Sequence, residues 1–439
     1  MQRPGYGTAA RPGAVLLTLV LLGTQAVLIL LLAGRVSDAA SAAAACHVGL
    51  GIAVYLWHGK NAITPLGMFS FGSAVFLGLP YFVSEQMLGL RTEPLASVYA
   101  FLAFAGVFAL STVVIRKECG YSVTDARARY ANFRADPLVI MLIVAGVGGV
   151  LVSAREAGLA SLQQGVLFFA VTYLSVVAMS LMQRAAWWQS CVTWLAVFAL
   201  VAVFYFEVFA GFGRLNVVAL LFCILTVLAP TLRRRTLKVA PLLAAPAVVY
   251  WAGAVRSSTG GFSTDSLSSA LAPLVTFSDI LRLVHFEVTP LLHGATYLYP
   301  FYFWVPRAFW AAKPDAIGHA YVRWIEPELA TTGHSIAISY LGEGAVNFGS
   351  AGILVGALLA VGLIALLRRL NDVVARPGLR TRASIFLLCG GVILQTSMLD
   401  FVWADSNTYT HRGLVRLAVV FAYATVALAV GWLARRQKS

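Results

Sequence analysis

Apolar runs of about 20 residues follow one another along almost the whole chain, each long enough to cross roughly 30 Å of hydrocarbon as a helix. At that depth no water pairs a free N–H or C=O, so repeated runs of this length commit the chain to a helical bundle in a membrane. Composition agrees: 60% of the 439 residues are hydrophobic and 11% charged, against roughly a quarter charged in a soluble domain. The sequence therefore predicts an all-α, polytopic integral membrane protein. Twelve spans are expected, near 13–33, 41–57, 64–83, 95–115, 137–154, 165–183, 190–211, 215–231, 239–255, 345–367, 381–399 and 413–433. The first run lacks a small-residue cleavage site and is followed by more spans, so it reads as a retained helix.

Topology follows from where the cations lie, because cytoplasmic loops keep Lys and Arg while short exported loops lose them. With the N-terminus inside, the cytoplasmic side collects Lys60, the basic run Arg116 to Arg134, Arg184, Arg233 to Lys238, and Arg368 to Arg382. The short exported loops hold single residues, Arg35, Arg91, Arg155 and Arg214. Both termini are then cytoplasmic. The organisation is spans one to nine over residues 1–255, a long outward loop over 256–344, and spans ten to twelve over 345–439. The formal charge of +14 does not point to nucleic acid, since the cations fall between apolar segments instead of on one soluble face. Five scattered cysteines without a CxxC pair argue against a disulfide framework or a zinc site. Ionisable residues within the spans read as scarce, with Glu207 the main exception near an outward helix end. That scarcity, and two dissimilar halves, weigh against a carrier.

Polar chemistry concentrates in the outward loop. Arg256 sits at the outer end of a span, where a snorkelling interfacial arginine is equally natural. Thr264 and Asp265 can cap a helix through LSSALAPLVTF, and Ser278 with Asp279 can start a second through ILRLVHF, with Arg282, His285 and Glu287 on a wet face. The aromatics from Tyr297 to Trp310 suit an interfacial belt, or a surface that stacks on sugars. Within them, VPRAFWAAKP places Arg307 and Lys313 six residues apart, which on a helix would lean both cations to one side. Such a pair suits a phosphate or pyrophosphate on a lipid, or simply anionic headgroups. The next stretch, GHSIAISYLGEGAVNFGSAGIL, offers His334 and Glu343 as candidate bases, with Asn347 following. The last outward loop, DFVWADSNTYTHRGL, adds Asp400, Asp405, His411 and Arg412. The loop contains no evident cluster of metal ligands.

The elements VPRAFWAAKPDAIG and HSIAISYLGEGAVNFGSAGIL resemble the oligosaccharide repeat-unit polymerases, the Wzy-type O-antigen polymerases. The likeness is to a P-R-x-x-W-x-x-K-P element followed by G-E-x-x-x-N-F-G-x-x-G, across about 50 residues; elsewhere it extends only to hydropathy and span number. Arg412-Gly413 is similar to a terminal Arg-Gly element, and the His-Ser start resembles the histidine motif of O-antigen ligases. The resemblance implies a GT-C-like multi-span glycosyltransferase of the bacterial inner membrane, independent of metal and cofactor. Its task would be to transfer a growing chain from one undecaprenyl pyrophosphate to the terminal sugar of another lipid-linked repeat on the periplasmic face. Donor and acceptor would be lipid-linked oligosaccharides, and a chain-length regulator and a ligase are the expected partners. For that task Arg307 and Lys313, with Arg256 and Arg412, are expected to hold the donor pyrophosphate. His334, or second to it Glu343, would take the acceptor proton. A ligase-type transferase and a flippase or exporter of lipid-linked sugars are the alternatives.

Overall fold

The computed structural model describes residues 12–83, 92–114, 130, 133–153, 160–208, 214–231, 237–244, 264–306, 308–325, 327–330, 335–375 and 382–436. The described residues form helices and connecting turns, with no strand. In chain order the main helices are α1 (Pro12–Leu32), α2 (Val36–Trp57), α3 (Pro65–Ser73), α4 (Pro94–Val114), α5 (Pro137–Ser153), α6 (Ala160–Gln183), α7 (Trp187–Val203) and α8 (Arg214–Leu228). After them come α9 (Thr264–His285), α10 (Ile317–Ile325), α11 (Ser339–Phe348), α12 (Ala351–Ala375), α13 (Arg382–Thr396), α14 (Met398–Trp403) and α15 (Ser406–Arg436). A π-helical turn at Ala74–Gly78 carries α3 onward. Thr64 starts α3 by accepting the Gly67 N–H at 3.0 Å, with Pro65 at the first helical position.

Among the described residues, nine helices are long and apolar enough to cross a membrane. Pro137–Ser153 and Leu215–Thr231 are apolar but shorter. Most of the expected ninth span, 239–255, lies outside the described residues. The remaining boundaries fall close to the expected ones, except that the expected 345–367 corresponds to Ala351–Val374 and the expected 413–433 to Ser406–Leu433.

Two hydrophobic cores lie side by side. The first joins α1 to α4 with α9, α11, α12 and α14; the second joins α5, α6, α7, α8, α13 and α15. Within the second, α6 is the axis, 78% buried along its most apolar stretch, whereas α7 is 17% buried and turns its side chains outward. A helix apolar all round but exposed on most of its circumference needs lipid for solvent.

Three contacts tie together segments that the charge rule assigns to one side. Lys238 donates to the carbonyls of Tyr55 and His58 at 3.1 and 2.8 Å. Arg184 donates to the Phe133 carbonyl, and Glu93 N–H to Ser278 Oγ at 2.5 Å.

Three expectations are corrected. Residues Thr264–His285 form one helix with Pro273 inside it, not two. Ser278 and Asp279 are therefore mid-helix: Ser278 accepts from Glu93, and Asp279 pairs with Arg282 instead of capping. The expected span at 345–367 is split, because Gly349 adopts φ +63° and separates α11 from α12. Arg282, His285 and Glu287 are exposed, in keeping with a wet face.

Candidate functional site

The motif GEGAVNFGSAG folds into a tight helical hairpin. A β-carbon on Gly344 would overlap the Gly352 carbonyl oxygen, and one on Gly352 would overlap that of Gly344. The two backbones touch, which only glycine at both positions permits. Gly356 continues the seam, since a β-carbon there would stand 2.9 Å from the Tyr340 carbonyl oxygen. This packing submerges α11, where Ser339 to Asn347 are all buried.

Glu343 and Asn347, one turn apart on α11, tie three segments into a knot. Glu343 is 0% exposed. Its Oε1 accepts from Thr296 Oγ1 and from Ser406 Oγ, both at 2.8 Å, and its Oε2 accepts from the Ser406 N–H at 2.8 Å. Asn347 donates to Thr296 Oγ1 at 2.7 Å and accepts the Gly294 N–H at 2.9 Å. The loop at 292–296 is thereby fastened both to α11 and to the head of α15. Burial pushes the Glu343 carboxyl up to about 8, and the neighbouring Asp405 carboxyl adds to the rise against the hydrogen bonds from Ser406 and Thr296. Asp405 is itself shifted upward, chiefly by burial, while bonds from Thr408 and the charge of Arg412 oppose it.

Further along α15 lies a second cluster, this one ionic. Arg412 donates to Asp400 Oδ1 at 2.6 Å, and Arg416 approaches Asp400 Oδ2 at 3.4 Å. Arg416, 1% exposed, also donates to Ser397 Oγ at 2.5 Å and to Asn216 Oδ1 at 2.7 Å. Its guanidinium lies 3.9 Å above the Phe168 ring, a cation–π contact inside the bundle. Asn216 in turn donates to Gln164 Oε1 at 3.2 Å. The scarcity of charge within the spans is thus corrected: Asp400 and Arg416 lie inside helices of membrane-spanning length and sit where the two cores meet. The signal was present in the sequence, since an arginine within an apolar run marks a site by default.

Lys313 approaches the head of α15 through the turn it closes. Its Nζ donates to the carbonyls of Phe303 and Val305 at 2.6 and 3.1 Å and stands 5.7 Å from the Tyr299 ring centre. The Phe303 ring meets His411 edge-on at 5.1 Å. The described residues around Lys313 form turns, not a helix. The helical geometry expected for the Arg307–Lys313 pair is corrected accordingly, because Lys313 folds back to close the turn. Arg256, Arg307 and His334 lie outside the described residues. Of the expected site residues, Lys313, Glu343 and Arg412 are brought to the first two turns of α15. Ser406, Asn407 and His411 lie on those turns, with Asp405 just before them and Arg416 beyond them. Among the described residues no three His, Cys, Asp or Glu side chains converge in a way that could hold a metal ion. No protein family, curated protein or solved structure matches the chain.

Proposed function

We propose that this chain is a membrane glycosyltransferase that lengthens lipid-linked oligosaccharides, a repeat-unit polymerase acting at the outer face of a bacterial inner membrane. The observation that carries the reading is the meeting of Lys313, Glu343 and Arg412 at the head of α15, from three elements far apart in sequence. Cations, a tuned carboxyl and exposed aromatics (Phe301, Trp304 and Phe309) then stand at one end of an apolar bundle. There a lipid carrier can stay in the bilayer while its sugar is handled in water. The charge asymmetry of the loops supports placing that end outside.

In this reading the acceptor hydroxyl oxygen attacks the anomeric carbon of the donor sugar. The bond from that carbon to the pyrophosphate oxygen breaks, and the pyrophosphate leaves on its carrier. His334 takes the hydroxyl proton. Arg307 and Lys313, with Arg256 and Arg412, stabilise the charge that grows on the leaving group. Glu343 is the second candidate for the base. With both oxygens engaged by Thr296 and Ser406, it is better suited to hold the loop against α15.

The test is Arg307→Ala and Lys313→Ala in cells. Each is expected to slow chain extension by about 10²–10³, leaving short products, and normal long-chain polysaccharide from membrane-inserted variants would contradict the assignment. Deletion of the gene separates polymerase from ligase: single-repeat material supports the first, uncapped polymer left on its carrier the second. The buried Asp400–Arg416 pair favours export of lipid-linked sugars as a second reading, because ionisable groups inside spans mark transport pathways.

A further inference from the structure

Among the described residues the buried side-chain amides are paired, with one exception. Asn216 uses both side-chain atoms, on Gln164 and Arg416, and Asn347 uses both, on Thr296, the Glu343 carbonyl and Gly294. Asn407 is 1% exposed, and neither its Nδ2 nor its Oδ1 has a protein partner. Leaving a buried polar group unpaired is costly, and native structures seldom tolerate it without a reason.

Its position supplies a reason. Asn407 lies one turn before His411, so the two share a side of α15, and His411 is the residue that meets Phe303. The neighbouring turn, Ala295–Leu298, is bonded to the head of α15 through Glu343. It carries a second buried group without a partner, the Tyr297 hydroxyl. A carboxamide offers two donors and an acceptor without charge, which suits sugar hydroxyls or an acetamido group, whereas phosphate calls for cations.

We propose that the Asn407 side chain, at the head of α15, binds a hydroxyl or acetamido group of the lipid-linked oligosaccharide. This rests on the polymerase reading and adds to it a residue that reads sugar and not lipid.

The test uses the full-length protein in nanodiscs with two probes: lipid-linked repeat extracted from a strain of the host lacking this protein, and bare undecaprenyl pyrophosphate. Asn407→Leu is expected to weaken binding of the sugar-bearing lipid about 10- to 100-fold. It should leave affinity for the bare carrier unchanged and should not lower the unfolding temperature. Unchanged affinity for the sugar-bearing lipid, or an equal loss for both probes, overturns the proposal. So does a lowered unfolding temperature with affinity intact, which would mean that the amide serves the fold through water. If Asn407→Leu fails to insert, Asn407→Ser is measured in its place, with the same outcomes expected. Wild-type protein that binds the repeat through Asn407 but never lengthens it removes the polymerase reading and leaves the site. Wild-type protein that lengthens it, with Asn407→Leu its equal, removes the site and leaves the reading.

Discussion

Glu343 and Asp400 are both carboxyls with 0% exposure, both close to the head of α15, and the fold treats them in opposite ways. Glu343 receives hydrogen bonds from hydroxyls and one N–H. Asp400 is clamped between two guanidinium groups. A buried acid must keep its proton or acquire a cation, because an isolated charge in low dielectric is too costly. Burial pushes the Glu343 carboxyl up to about 8, which favours its neutral form as it fastens the loop. Asp400 acquires more positive charge than it carries, and the surplus stays with Arg412 at the site. The first arrangement builds rigidity, and the second keeps a surplus cation, Arg412, at the head of α15.

The contrast is broken most severely at Asp400. Asp400→Asn strands Arg416 inside the bundle and is expected to destabilise the protein by about 3–5 kcal/mol, read as lost accumulation or a lower unfolding temperature. Wild-type stability would mean that the arginines do not depend on this acid. A smaller effect is expected at the knot, where Glu343→Ala leaves the hydroxyls of Thr296 and Ser406 and the Ser406 N–H without their acceptor at a cost of about 1–3 kcal/mol.

Glu343→Gln sharpens the comparison. In the native protein Glu343 holds a proton between its usual 4.5 and about 8, while the unfolded chain has released it. Stability should therefore fall as pH rises through that window and level off above it. Thermal unfolding across pH 5–9 should show a shallower fall for Glu343→Gln, with the remaining slope owed partly to Asp405, and identical profiles would contradict a protonated Glu343. The smallest change is expected from Arg412→Lys, which keeps a charge on Asp400 at a partly exposed position and should cost less than about 1 kcal/mol. Its effect on chain extension should exceed its effect on stability, because only arginine presents a planar fork.

Much of this is legible in the sequence. Apolar runs predict most of the described long helices to within a few residues, since run length follows directly from the thickness of hydrocarbon, but they miss the break at Gly349 and the early start of the last helix at Ser406. The spacing of glycines around Glu343 announces close backbone approach, which Gly344 and Gly352 realise. Other features depend on tertiary neighbours and stay hidden. Arg416 sits in an apolar run and gains its meaning only when Asp400, Asn216 and Phe168 are assembled around it. Lys313 suggests a helical partner for Arg307, but the carbonyls of Phe303 and Val305 take its ammonium. Asn407 looks like an ordinary loop amide, because only burial reveals that its hydrogen bonds are unmet.

Glycosyl transfer at one end of the bundle is tested most directly with purified protein in detergent. Given lipid-linked single repeats and no second compartment, it should yield a ladder of longer lipid-linked products, which vanishes with Arg307→Ala. Single repeats that remain bound but unchanged, with folded protein, would contradict polymerisation and leave transport as the better description.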